Sequence, residues 1–480
     1  MKLASVLSSV WSLLLLFTVW SSTGAEPLNL RVDFSRAQGI IRPLHGINKG
    51  PLAPGGLLDL TEAQRALGIP FTRLHDCHWP NPDVVDIHAV FPDFKADPER
   101  AESYDSRLTD EYIAATRATG AQIVYRLGES IEHTSVRRFV HPPADADKWA
   151  AICLGIIRHY NEGWANGFRH DIRYWEIWNE PENRPAMWSG TDEDYFRLYR
   201  VAARAIKARH PKLKIGGPSV GYSGQWKDGV FKPSAFVTNL LALCRRESLP
   251  LDFFSWHCYT DDPSEIAGRA RGVRRMLDDA GFAATESHLN EWNFLPNNDW
   301  KPASRKGQGM AREKFYAEMG GVPGAAFIAA TLIELQDAPL DVGNLFHGEA
   351  GGFGLFSENG VPNKAYFALL AFHDLLAAPR RVETHGALAG GLALVAGLNA
   401  ETNQAMILVS NYRSPETMLR LNVENIPWRG GFTFEVRALN AGQNLEVAER
   451  GTGSASTPME LHLKAPAVAL ITLRPREERP

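Results

Sequence analysis

The run YWEIWNEPENRPAMW, Tyr174 to Trp188, sets Glu176, Glu180 and Glu182 among Trp175, Trp178 and Trp188. A second run, SHLNEWN from Ser287, places Glu291 beside Trp292. Carboxylates are costly to bury without a partner, so acids inside strand-like aromatic runs call for a counter-charge or for chemistry. Two carboxyl groups on opposite sides of a glycosidic bond can cleave it, one protonating the leaving oxygen while the other acts as nucleophile or base. Glu180 and Glu291 are the candidates for that pair. Glu176, Glu182, Glu129, Glu334 and Glu349 compete with them and are expected to be structural or solvent-facing. The HDCH run, His75 to His78, invites a metal reading, but adjacent strand residues alternate faces and cannot all reach one ion. Neither a metal nor a cofactor is expected.

Such a pair needs rigid elements to hold it. From about residue 43 to 378, β-rich runs alternate with helical patterns: LHGINKG from Leu44, FTRLHDCH from Phe71, AQIVYRLG from Ala121, RYWEIWNE from Arg173, KIGGPSV from Lys214, DFFSWHCY from Asp252, SHLNEWN from Ser287 and GAAFIAATLI from Gly324. Between them, Thr191 with Asp194 reads as a capping box ahead of the face Tyr195, Leu198, Ala202, Ile206. Another helix runs from Ser264 through Ile266, Ala270, Val273 and Leu277 to a terminal Gly281. Alternating strands and helices imply a parallel sheet, and eight units predict an α/β (β/α)8 TIM barrel over residues 40–380; a doubly wound open sheet is the alternative. In a barrel the reacting groups belong at the C-terminal strand ends, where Glu180 closes the fourth predicted strand and Glu291 the seventh. Strict alternation would put Asn179 and Glu180 on opposite faces. Both reach one substrate only if the chain leaves the strand there, as Pro181 suggests by pushing Glu180 to extended geometry.

Beyond Pro379 the helical pattern gives way to alternation, as in Met418 to Val423, Phe432 to Val436 and Val468 to Leu473, predicting a β-sandwich-like domain over residues 381–480. The segment LNLRVDFS, Leu28 to Ser35, also alternates, so residues 26–39 are expected to lend that domain a strand. Residues 1–25 read as a secretory signal, with an apolar run ending at Trp20 and small residues Thr23 and Ala25 before a cut, which predicts a secreted or periplasmic protein without stable membrane insertion; an uncleaved anchor is the alternative. Cys77, Cys153, Cys244 and Cys258 have no scaffold or zinc spacing, and Cys153 falls on an apolar helix face as a plain buried thiol. With 51 Lys plus Arg against 55 Asp plus Glu, the formal charge of -4 argues against a nucleic-acid partner.

WEIWNEPE and HLNEWN resemble the two motifs of clan A glycosidases, and most of residues 40 to 378 resembles glycoside hydrolase family 39. FTRLHD, FSWHCY and GGFGLFSENGVPNKAYFALLAFHDLL support the likeness. The resemblance implies a retaining glycosidase, with β-xylosidase action expected first and an endo-acting bacterial polysaccharide hydrolase as the alternative; its partner would be an oligo- or polysaccharide. It further implies Glu180 as acid/base, Glu291 as nucleophile, Asn179 as a partner of the sugar 2-hydroxyl, and Arg73, His75, His257 and Tyr259 as the surrounding shell. Arg73 serves equally well as the neutraliser of a buried acid. Trp178, Trp188, Trp292 and Trp300 are candidate stacking platforms, since aromatic faces suit the CH faces of sugars. The clan offers a tryptophan from its eighth strand as a sugar floor, whereas LIELQDAP here carries Gln336. A carbohydrate-binding protein without turnover is the reading of another class.

Overall fold

The computed structural model describes residues 27–80 and 84–476; the expected signal segment lies outside them. Eight parallel strands close into a barrel: Gly46–Asn48, Phe71–Leu74, Gln122–Leu127, Tyr174–Ile177, Lys214–Val220, Phe253–Thr260, Glu286–Phe294 and Val342–Leu345. Helices connect them on the outside. Asp192–Arg209 carries the expected Thr191–Asp194 capping box and buries Tyr195, Leu198, Ala202 and Ile206. Pro263–Asp279 likewise buries Ile266, Ala270, Val273 and Leu277.

The eighth strand is not the predicted one. The run from Gly324 belongs to a helix, Val322–Glu334, whose apolar residues are buried almost all round, and the strand that closes the barrel is the later Val342–Leu345. A helix enclosed on every side has no polar stripe, so its sequence reads like a buried strand. Gln336 therefore lies in a turn after that helix, where its side chain accepts from the Arg42 backbone N–H at 2.8 Å, away from the barrel mouth.

Inward positions along the strands alternate, which sorts the barrel interior into layers. At the N-terminal end Val124, Tyr174 and Phe253 form an apolar plug with Phe71, and the His288 ring stacks on Phe253 at 4.5 Å and 14°. Two residues further along the same strands stand Arg73, Glu176, Ser255 and Asn290, all buried. One barrel thus has a greasy floor and a charged upper layer.

Nine strands form a second sheet, in which Leu28–Ile40 pairs antiparallel with Arg380–His385 and parallel with Met418–Glu424. The central strands Leu392–Asn399, Gln404–Asn411 and Ala467–Pro475 are apolar on both faces. Val395, Leu408 and Leu470 pack into the barrel core, while Leu394, Ile407 and Ile471 form the sheet's own core. The helix Val322–Glu334 packs against both the sheet and the barrel strand Glu286–Phe294. Cys77, Cys153, Cys244 and Cys258 are buried free thiols.

Candidate active site

Two irregular strands make the site. Against the sixth strand, Leu289 aligns with Trp256 but Glu291 aligns with His257, so Asn290 is an extra residue, a β-bulge. The bulge breaks the alternation. Asn290 and Glu291 both turn into the mouth, and Trp292 is rotated into the apolar core, fully buried and away from the cavity. Trp292 is therefore not the sugar platform the sequence suggested. On the other flank of the sixth strand, Pro218 aligns with Ser255 and Val220 with Trp256, which leaves Ser219 as a second bulge residue with φ +56°. The regular part of the fourth strand ends at Ile177, after which Trp178 (φ +72°) and Glu180 (φ +43°) adopt left-handed geometry. Glu180 is thus not extended as its following proline implied, and this turn is what brings Asn179 and Glu180 into the same mouth.

Arg73 is the hub. Its Nε donates to Glu176 at 2.7 Å, Nη1 reaches Asn48 Oδ1 at 3.0 Å and Glu291 Oε2 at 3.3 Å, and Nη2 reaches Asn179 Oδ1 at 2.6 Å and Ser219 Oγ at 2.7 Å. Both readings of Arg73 hold at once: it neutralises buried Glu176 and touches a candidate catalytic acid. Tyr259 donates its hydroxyl to Glu291 Oε1 at 2.6 Å. His257 lies between the two glutamates, with Nδ1 at 2.9 Å from Glu180 Oε1 and Nε2 at 3.6 Å from Glu291 Oε2. Asn183 donates to the other oxygen of Glu180 at 2.7 Å. The nearest oxygens of Glu180 and Glu291 lie within 4.8 Å of each other. Gly221 permits the placement of Glu180, since a Cβ there would come within 2.4 Å of Glu180 Oε1.

Burial pushes both glutamates up. For Glu180 the bond from His257 and the charge that ring carries when protonated, with the Asn183 amide, outweigh that push and set the group below the ordinary carboxylate range. For Glu291 burial prevails, aided by the Glu180 charge against His257, Arg73 and Tyr259, and the group stays above it. Glu182, expected to be structural or solvent-facing, is pushed up to about 7 by burial and by the Glu180 charge, and accepts from the Tyr222 backbone N–H at 2.8 Å. His75 is held neutral by burial.

The mouth opens into a cavity of about 790 Å³. His75, Asp76, Asn179, Glu180, Tyr259 and Glu291 line its floor, and Tyr222, Trp300, Phe346 and Phe353 its walls. Arg73 and His257 stand just behind that floor, bonded to residues that form it. Of the four candidate platforms only Trp300 lines the cavity, half exposed; Trp178 and Trp188 are core like Trp292. The aromatic that follows the true eighth strand is Phe346. Sequence reasoning missed Ser219, Asn290, Asn48 and Asp76 as parts of the site. For Ser219 a signal existed in the Gly216-Gly217-Pro218 run, which marks an irregular strand.

Glu180, His257 and Glu291 offer three oxygen or nitrogen atoms close enough for a cation, as do Asp86, His88 and Glu129. In the first group both ring nitrogens of His257 have protein partners and the Arg73 guanidinium already faces Glu291. In the second, Asp86 pairs with Arg126 and Glu129 with His88. Arg73 in the first group and Arg126 in the second thus supply a counter-charge.

The whole barrel architecture recurs in solved structures. A glucosidase from Croceicoccus marinus superposes with a TM-score of 0.78 over 94% of this chain and 100% of its own at 24% identity. An enzyme from Xanthomonas axonopodis pv. citri described as GH39 gives 0.70 over 96% and 99% at 20%. In sequence, a beta-xylosidase of Geobacillus stearothermophilus is 28% identical over 352 residues, 65% of this chain and 63% of that protein. A beta-xylosidase of Caldicellulosiruptor saccharolyticus is 27% identical over 262 residues, 48% and 46% respectively. The chain thus spans less than two thirds of the length of these curated relatives. The family described as "Glycosyl hydrolases family 39" matches residues 130–378, a stretch that contains both glutamates and the fourth to seventh strands that carry the bulges and His257, and to that family the chain belongs.

Proposed function

We propose that this protein is a retaining glycoside hydrolase acting on short β-linked saccharides, β-xylosides first among them. Glu291 would attack the anomeric carbon and Glu180 would protonate the departing oxygen, then activate water to release the sugar. The observation that carries the reading is the closeness of the two carboxyl groups, with oxygens within 4.8 Å. A separation near 5 to 5.5 Å fits direct attack, whereas an inverting pair stands about 6.5 to 9.5 Å apart to admit a water. The roles follow from the surroundings: Arg73 and Tyr259 both point donors at Glu291, which orients a nucleophilic anion, while Glu180 sits on the turn beyond the strand. β-Xylosides are favoured because both sequence relatives above carry that activity in their names.

A panel of aryl glycosides varied in sugar and anomeric configuration tests the reading. Hydrolysis of a β-xyloside supports it, and binding without hydrolysis of any member favours the carbohydrate-binding alternative. Glu180→Gln is expected to abolish cleavage of poor leaving groups while sparing the first step with an activated aryl leaving group, which needs little protonation. Equal loss across leaving groups would remove Glu180 from that role. We also take the N-terminal apolar run as an export signal, to be checked by the intact mass of secreted protein, expected to begin near residue 26.

A further inference from the structure

Resting on the hydrolase reading, the geometry points to Ser219 as a positioning residue for acid catalysis: its hydroxyl donates to Nε2 of His257 and holds the ring in the neutral tautomer whose Nδ1–H faces Glu180. A serine oxygen has two lone pairs and one proton. Arg73 Nη2, which can only donate, lies 2.7 Å from it. The Asn290 amide nitrogen lies 2.9 Å from it and 2.6 Å from Glu176 Oε1, and the carboxylate fixes which end of that amide is the donor. Both lone pairs are therefore filled.

The single proton of Ser219 then has two acceptors within reach, Asn179 Oδ1 at 2.8 Å and His257 Nε2 at 2.7 Å. Asn179 Oδ1 already receives Arg73 Nη2 at 2.6 Å, while the only other polar neighbour of Nε2 named above, Glu291 Oε2, is 3.6 Å away. A proton on Nε2 would point at an oxygen with no lone pair left. The hydroxyl proton goes to Nε2, and Nδ1–H donates to Glu180 Oε1 at 2.9 Å.

The tautomer decides where the mouth keeps its mobile proton. Two anionic glutamates beside His257 would draw a proton onto the ring, and Ser219 occupies the place where it would sit. That proton is left to Glu180 and Glu291. A neutral ring removes the His257 charge that otherwise helps hold Glu180 below the carboxylate range, and with the guanidinium of Arg73 and the hydroxyl of Tyr259 favouring the anion on Glu291, the proton is left to Glu180, where the leaving oxygen needs it. His75 and Asp76 beyond the second strand and Glu182 beyond the fourth also face this cluster, with Lys49 and Arg126 next to His75. The bulge supplies the means: with φ +56° and its N–H bonded to Ser255 Oγ at 2.9 Å, Ser219 is fully buried with its hydroxyl among the groups of the mouth.

Nitrogen-15 NMR of histidine-labelled protein, with His257 assigned by its loss in a His257→Asn spectrum, reads the tautomer whether or not the protein cleaves any glycoside. Near neutral pH the wild type should show a protonated Nδ1 and a bare, hydrogen-bonded Nε2. A protonated Nε2, in either the neutral ring or the imidazolium, overturns the proposal. In Ser219→Ala the ring should stay doubly protonated to higher pH, and the alkaline limb of kcat/KM for a poor leaving group should move down by about one pH unit. Ser219→Cys, which keeps a weak donor, should fall between the two. Identical ring spectra in wild type and Ser219→Ala would also overturn it. If the alanine variant does not fold, the wild-type spectrum alone decides.

Discussion

The two ends of the barrel interior use the same strands for opposite purposes. At the floor, Phe71, Val124, Tyr174 and Phe253 fill space with apolar and aromatic surface. One inward position higher, Arg73, Glu176 and Asn290 bury charge and amide groups that together make little net contribution to folding, since desolvation offsets most of the attraction. The floor stabilises; the mouth pre-organises. What separates them is regularity: the floor keeps strict alternation, whereas bulges at Ser219 and Asn290 let consecutive residues face inward and crowd polar groups together.

Breaking the mouth should have the largest effect. Arg73→Met leaves Glu176 buried without its cation, and is expected to cost about 3–5 kcal/mol in denaturant unfolding and to abolish turnover. The pair Arg73→Met with Glu176→Met should recover most of that stability and none of the turnover. A double variant that regained activity would show the mouth to be as much a packing device as the floor. Next, Phe253→Ala opens a cavity in the floor and should cost about 3–5 kcal/mol while leaving KM and kcat near wild type at temperatures where the fold holds.

Smaller effects sharpen the contrast. Burial pushes Glu349, beside Lys49 at the mouth, up to about 7. A carboxyl raised in the folded state favours folding fully below its unfolded value and loses that contribution as pH rises through about 7. Glu349→Gln should therefore raise Tm at pH 8 relative to wild type, by the equivalent of roughly 3 kcal/mol at most, and change it little at pH 5. An equal gain at both pH values would contradict the shift. Smallest is Trp300→Ala, a half-exposed wall residue, expected to raise KM about tenfold with unchanged Tm.

Much of this was legible in the sequence. Seven of the barrel strands announced themselves through aromatic and β-branched runs, and the glutamates through their motifs and strand-end positions. The eighth strand was not, because the buried helix from Val322 is apolar on every face and the real strand, Val342–Leu345, is short. The bulge at Ser219 was signalled only by the Gly216-Gly217-Pro218 run, and the one at Asn290 by nothing in its strand. Alternation puts Asn290 and Glu291 on opposite faces and Trp292 beside Asn290, and only pairing with the sixth strand reveals the extra residue that reverses this. That is why Trp292 was misplaced and Ser219 and Asn290 went unnoticed.

The central claim is that Glu291 attacks carbon directly. A slowly released fluorosugar with an activated leaving group, of the sugar and configuration that the glycoside panel selects, should accumulate as a covalent adduct, and peptide mapping should find its added mass on the segment holding Glu291. Glu291→Gln should abolish both adduct and turnover. A first-formed product of inverted configuration, or an adduct on Glu180 or any other residue, would contradict the account.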